Sequence, residues 1–177
     1  ILSVDFYKRN TPKTQEWRGE DLTNKTILII AEQGVGDAIQ FSRYIHIIKD
    51  NYSTKIIFKV QKRLVHLFSD SGIEIISEQD IVPKHDYYIF LMSLPKIFYS
   101  QTKNLPKQIN YIPKNENIFL KWKKKLSKIS GVKVGINWQG NSSYFGDRLR
   151  SIPLNFFETL FTVKKINFIN LQKGLGT

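Results

Sequence analysis

A short apolar run, followed at once by a glycine turn and an amphipathic helix, is the feature that most constrains the fold of this chain. Residues 26–31 (TILIIA) are continuously apolar, which is typical of a strand covered on both faces. Gly34 and Gly36 follow, and apolar residues then recur at helical spacing over 38–49. Strand, glycine turn and helix in this order begin a βαβ unit, so the sequence predicts a parallel sheet.

The same alternation continues downstream. The further segments with strand patterns are 55–60, 73–76 and 87–92, and a short helix is predicted over 64–68. Gly72 is expected to end that helix. We therefore predict an α/β fold, with a Rossmann-like domain over 26–113 whose parallel sheet carries helices on both faces. Residues 1–25 are polar and lack periodicity, and they are interpreted as a linker or lead-in.

A second domain is expected to start near residue 114. Its predicted elements are a helix over 117–129, a strand over 132–138, a helix from Pro153 to about residue 163, and a strand over 166–171. The segment 114–177 would thus hold an inter-domain helix and the beginning of a second Rossmann-like domain. Because the pattern stops inside that unit, we expect the chain to be a fragment of a longer protein.

The net charge of +12 raises the question of nucleic-acid binding. Only six of the 27 basic residues are arginines, and the lysines are scattered apart from the group at 121–125. That lysine group is read as the solvated face of a helix. No aromatic and basic residues interleave on one sheet face, so nucleic-acid binding ranks last among the functions considered.

Several residue types exclude whole classes of site. The chain has no cysteine, which rules out disulfides, thiolate zinc sites and a cysteine nucleophile. The three histidines, His46, His66 and His85, share no metal-ligand spacing, and no metal site is expected. Neither an uninterrupted apolar run of membrane-spanning length nor an export leader is visible. We therefore expect no membrane span and a cytoplasmic location.

The first candidate site follows the first strand, at Glu32, Gln33, Gly34, Gly36 and Asp37. Ligands of doubly wound sheets collect at the carboxyl ends of the strands, near the switch in strand order. The segment lacks the third glycine of a dinucleotide fingerprint and the Gly-Lys-Ser/Thr of a P-loop. A carboxylate there suits a hydroxyl-bearing substrate better than a phosphate.

Two interpretations of Asp37 stand side by side. In one, the carboxylate accepts a proton from a substrate hydroxyl. In the other, it caps the helix and complements the helix dipole, and spacing alone favours this second interpretation.

The second candidate site is the polar loop between the strand ending near Trp138 and the helix beginning near Pro153. Trp138, Gly140 and Asn141 lie at its start. Arg148, Arg150 and Ser151 lie at its end, where they could hold a phosphate against a helix N-terminus. A surface loop whose Asp147 pairs with the arginines is an equally good interpretation.

Taken together, these segments resemble the glycosyltransferase-like domain found behind tetratricopeptide repeats in bacterial proteins. The matching runs are residues 17–22 (WRGEDL), 27–29 (ILI), 31–44 (AEQGVGDAIQFSRY), 134–141 (VGINWQGN), 147–148 (DR), 150–154 (RSIPL) and 171–174 (LQKG). They follow one another in the expected order and span most of the chain.

That domain is similar in turn to the heptosyltransferases, which have the GT-B arrangement of two Rossmann-like domains. The resemblance implies that the N-terminal domain takes the acceptor and that the C-terminal domain takes a nucleotide-sugar donor. Gly36-Asp37 stands where that family has its proposed catalytic base. Arg150-Ser151-Ile152-Pro153 matches a Lys-x-Trp-Pro element that contacts the donor phosphates, with arginine for lysine and isoleucine for tryptophan.

The function expected from this resemblance is sugar transfer from a nucleotide-sugar to a hydroxyl of a glycan or protein, without a cofactor or metal. Upstream tetratricopeptide repeats are implied by resemblance only. Because most of the donor site would lie beyond residue 177, we expect this segment alone not to turn over. The alternative is a non-catalytic Rossmann-like module that recognises a glycan or protein.

Overall fold

The computed structural model describes residues 11–102, 110–142 and 144–173, and the chain divides into two compact units, Ile1–Asn115 and Glu116–Thr177. The strands of the first unit are β1 (Gln15–Glu16), β2 (Thr26–Ile30), β3 (Lys55–Val60), β4 (Glu74–Ser77) and β5 (Tyr87–Phe90). Its described helices are α1 (Val35–Phe41), α2 (Arg43–Asn51), α3 (Val65–Phe68) and α4 (Leu94–Thr102), with 3-10 turns at Lys62–Leu64, Ser69–Ser71 and Leu91–Ser93.

The first unit is built on a parallel sheet in the order β1-β5-β2-β3-β4. From β2 the chain moves outward to β3 and β4, and β5 then returns to the other side of β2. This is the strand order of half a doubly wound sheet, and the direction of winding reverses between β2 and β5. The predicted α/β fold with a parallel sheet is therefore confirmed, and its topology is compatible with a Rossmann-like domain.

The side chains of alternate strand residues pack into two apolar clusters, one on each face of the sheet. Ile27 and Ile29 of β2 point into the larger cluster, which also contains the buried residues of the described helices. Leu28 and Ile30 point into the smaller one, together with other strand residues and Val82. β2 is thus buried on both faces, as predicted. Unlike the prediction, the described helices of this unit contribute buried residues to one cluster only.

Residues 1–25 were interpreted as a linker or lead-in, and this is wrong for residues 11–25, which join the first unit. Residues 1–10 lie outside the described residues. Gln15 and Glu16 pair with Tyr87 and Tyr88 at the edge of the sheet. Trp17, 1% exposed, is among the largest fully buried side chains. The segment looked like a linker because a two-residue strand has no periodicity to detect.

The helix predicted over 38–49 is two helices that meet at Ser42. The Ser42 hydroxyl donates a 2.8 Å hydrogen bond to the backbone carbonyl of Ile39. Such back-bonding by serine competes with the helical hydrogen bonds and bends helices. The strand predicted over 87–92 ends earlier, at Phe90, because the chain turns there into the 3-10 turn that leads to α4. Gly72 adopts φ +71, the left-handed conformation expected of a glycine that ends a helix.

The second unit contains α5 (Glu116–Leu126), β6 (Val132–Ile136), α6 (Glu158–Phe161) and β7 (Ile166–Asn170), with 3-10 turns at Asp147–Leu149 and Leu154–Phe157. β6 and β7 form a two-stranded parallel sheet. The helix predicted from Pro153 is a 3-10 turn followed by the single turn of α6. Many large apolar side chains of this unit are exposed, including Phe156 and Leu149. No helix among the described residues is long and apolar enough to cross a membrane.

Candidate functional site

The first candidate site lies where β2 and β5 diverge. Glu32 follows β2, and Met92 lies in the 3-10 turn after β5. The backbone N–H of Met92 donates a 3.1 Å hydrogen bond to Oε1 of Glu32. This bond spans the point at which the winding of the sheet reverses, the place where doubly wound sheets bind their ligands.

Glu32 is a buried acid, with 4% of its surface exposed. Its Oε2 atom is buried and has no hydrogen-bond partner among the described residues. Burial raises the pKa of the Glu32 carboxyl, and the negative charge of Asp37 adds to the rise. The backbone N–H groups of Glu32, Met92 and Leu91 act in the opposite direction. A buried carboxyl group with a raised pKa at a switch point is a candidate functional group.

Asp37 lies in the first turn of α1 and caps it. Its Oδ2 atom accepts a 3.0 Å hydrogen bond from the backbone N–H of Gly34, the N-cap residue. The capping interpretation is therefore seen in the structure. It leaves the proton-accepting interpretation open, because Oδ1 remains for another donor and the side chain is partly exposed.

The loop between Glu32 and Asp37 is anchored to the neighbouring strand. Nε2 of Gln61, which follows β3, donates a 2.6 Å hydrogen bond to the backbone carbonyl of Gln33. Gly36 has open space where a side chain would project, so the backbone there is accessible to a ligand. Sequence reasoning found the loop but missed Gln61, because the contact joins segments that are distant in the chain.

The second candidate site is organised around Asp147, which is 6% exposed. Its Oδ1 atom accepts a 3.0 Å hydrogen bond from Nε of Arg150, and its Oδ2 atom accepts a 2.8 Å hydrogen bond from the Ser151 hydroxyl. The Ser151 hydroxyl also accepts from the backbone N–H of Gly140, at 3.1 Å. The guanidinium of Arg150 lies over the Tyr144 ring, 5.0 Å from its centroid. The pairing of Asp147 with an arginine, one of the two interpretations of this loop, is thus present.

Gly140 is required by this packing. A Cβ atom at position 140 would lie 2.5 Å from Oδ1 of Asp147 and 2.7 Å from Nη2 of Arg150, and real Cβ atoms do not approach other atoms so closely. The start and the end of the loop therefore meet at Gly140. Asn141 follows it and is exposed.

Two cavities adjoin this loop, and they share Trp138. The larger, of about 810 Å³, is lined by Arg148 and Ser151 together with Tyr144 and Phe145. The smaller, of about 310 Å³, is lined by Gly140 and Arg150. The three residues predicted to hold a phosphate together are thus divided between two cavities.

No metal centre emerges from the described residues, since they contain no group of three or more histidine or acidic side chains that could hold an ion. Two of the histidines bind backbone carbonyls: Nε2 of His46 lies 2.8 Å from the Tyr111 carbonyl oxygen, and Nδ1 of His85 lies 2.8 Å from that of Pro83. Both contacts are structural.

Comparison with known proteins yields one distant relative. The chain is 24% identical over 179 residues to Protein FlbA of Caulobacter vibrioides, an alignment that includes 89% of this chain and 30% of FlbA. The chain thus spans less than a third of that relative. No protein-family model matches the chain, and no solved structure matches it significantly.

Proposed function

We propose that the chain is part of a glycosyltransferase of GT-B type, which moves a sugar from a nucleotide-sugar donor to a hydroxyl of a glycan or protein. One observation carries the proposal: the loop from Glu32 to Asp37 brings two carboxyl groups to the switch point of a parallel sheet. A carboxylate in such a place can act as the general base that deprotonates an acceptor hydroxyl. The resemblance described above assigns that role to Asp37.

The charges of the two units suit the two substrates. Residues 116–177 carry eleven of the 27 basic residues and three of the fifteen acidic ones, a net charge of +8. Residues 1–115 hold the remaining net charge of +4. A basic second unit favours an anionic nucleotide-sugar. In the first unit, the carboxyl groups of Glu32 and Asp37 disfavour phosphates and can accept hydrogen bonds from neutral hydroxyls.

A non-catalytic binding module is the second candidate, and the bond between Asp37 and Gly34 favours it. A carboxylate that already caps a helix has a sufficient structural reason to be present. In this alternative the loop recognises a glycan or protein, and no bond is broken.

Variants of Asp37 in the complete protein distinguish the two functions. Asp37→Asn retains an oxygen that can accept from the Gly34 N–H but loses the basic carboxylate. We expect it to fold as the wild type does and to lose at least 99% of transfer, since general bases contribute about 10²–10⁴-fold to rates. The measurement is release of nucleoside diphosphate from a panel of nucleotide-sugars in the presence of acceptor.

Asp37→Ala serves as the matched control, because it removes both the base and the cap. It should lose transfer as Asp37→Asn does and, in addition, lose about 1 kcal/mol of stability. Full transfer by Asp37→Asn would remove Asp37 from the chemistry. A wild-type protein that releases no diphosphate but binds glycans would favour the binding module.

A further inference from the structure

The two arginines of the second loop are in different situations. Arg150 donates to Asp147 and stacks on Tyr144, so its charge is neutralised by a buried carboxylate and its Nε donor is occupied. Arg148 is exposed and makes no ion pair with any described residue. Both are arginines with the fork geometry that suits phosphates, but only the Arg148 charge is uncompensated.

The cavity beside Arg148 is large enough to hold a nucleotide. Its volume of about 810 Å³ lies within the range of small-molecule sites. Phe145, which is 93% exposed, offers an aromatic ring on which a base can stack. Asp147 and Ser151 also line the cavity, but the Asp147 carboxylate already accepts hydrogen bonds from Arg150 and Ser151. The cavity lined by Arg150 is less than half as large.

We propose that Arg148, rather than Arg150, binds the phosphates of a nucleoside diphosphate group in the larger cavity, while Arg150 holds the loop in shape through Asp147. The family resemblance points to Arg150, because it stands at the basic position of the matched element. The contacts of the two residues point to the reverse assignment. This inference rests on the proposed function, which supplies a nucleotide-sugar as the ligand.

Calorimetric binding of UDP, ADP and inorganic pyrophosphate to the full-length protein, with Tm measured for each variant, tests the assignment. Arg148→Ala should weaken binding of all three probes by about tenfold or more, as expected for the loss of a charged hydrogen bond, and should leave Tm unchanged. Arg148→Lys should recover part of the affinity. Arg150→Ala should lower Tm and, below its unfolding transition, weaken binding less than Arg148→Ala does.

Lys164→Ala is the control for charge, because Lys164 is exposed in the same unit and does not line the cavity. It should bind the probes within about twofold of the wild type, as expected for a surface charge outside the site. Equal affinity of Arg148→Ala and wild type would overturn the assignment, as would a loss of binding in Arg150→Ala with no change in Tm. A wild-type protein that binds none of the three probes would overturn the proposed function as well.

Discussion

Glu32 shows how a single residue joins two distant parts of the first unit. Its burial raises its pKa above the ordinary value, so the folded state favours the protonated form more than the unfolded state does. The free energy of unfolding therefore falls as the pH rises from the pKa of Glu32 in the unfolded chain, about 4.5, through its higher pKa in the folded state. At pH values below both, Glu32 is protonated and does not destabilise the fold.

Glu32→Gln should remove this pH dependence, because glutamine does not titrate and its oxygen can still accept from the Met92 N–H. We expect Tm of the variant relative to wild type to increase as the pH is raised above about 4.5. Each unit by which folding raises a pKa corresponds to about 1.4 kcal/mol. Thermal unfolding at a series of pH values gives the difference, with Glu78→Gln, at an exposed position, as the control for lost charge. A Tm difference between Glu32→Gln and wild type that does not change with pH would contradict the raised pKa of Glu32.

At the same scale, the sequence predicted some site residues and not their partners. Gly34, Gly36 and Asp37 could be found because a strand, a glycine turn and a helix follow one another directly in the chain. The contact of Glu32 with Met92 could not be predicted, since the two residues are 60 positions apart and meet only because β2 pairs with β5. The pairing of Asp147 with Arg150 remained one of two interpretations, because a spacing of three residues permits the contact without requiring it.

At the scale of elements, short runs dominated by apolar residues were the reliable signal. β2 is apolar after Thr26, β3 is apolar apart from Lys55 and Lys59, and both were predicted within one residue of their bounds. The helix α4 was not predicted, and Leu91 and Met92 of the 3-10 turn before it were assigned to the strand because they continue its apolar run. β1 was missed because its two residues contribute backbone pairing and no pattern.

The segment after β1 contributes to stability through Trp17. The Trp17 ring lies 6.1 Å from that of Tyr52 and 6.0 Å from that of Phe98, between ring centroids. Its Nε1 donates a 2.8 Å hydrogen bond to the Glu20 carbonyl. This side chain therefore fixes the segment to Tyr52, which follows helix α2, and to helix α4.

Trp17→Ala should lower the free energy of unfolding by about 3–5 kcal/mol, the cost of truncating a large buried aromatic side chain. Urea denaturation measures it. Ile81→Ala, at a side chain that is 95% exposed, is the control and should change stability by less than about 0.5 kcal/mol. A cost below about 1 kcal/mol for Trp17→Ala would mean that the segment is dispensable for the core.

At the scale of the whole molecule, the two units differ in how well they bury their apolar residues. In the first unit, Leu28, Ile57 and Phe58 are fully buried. In the second, Trp138 is the one large apolar side chain that is buried among the described residues, while Leu154, Phe156 and Leu171 remain exposed. A two-stranded sheet has too little surface to cover such residues.

The units should therefore behave differently when they are produced separately. We expect residues 1–115 to unfold cooperatively, with a single sharp thermal transition. Residues 116–177 alone should unfold over a broad range and bind the dye ANS, which reports exposed apolar surface. Calorimetry and dye fluorescence on the two segments provide the measurement. A sharp transition without dye binding for residues 116–177 would contradict this expectation.

The position of β1 has a consequence for the order in which the first unit is assembled. Gln15 and Glu16 are synthesised before the other strands of the sheet, but they pair with β5, which is made after all of them. During translation the β1 segment and Trp17 must wait until Tyr87 and Tyr88 have left the ribosome. Contacts of such large sequence separation slow folding, and an unpaired segment with a large aromatic side chain is a target for chaperones. β1, which precedes the other strands in the chain, is thus the last strand that can join the sheet.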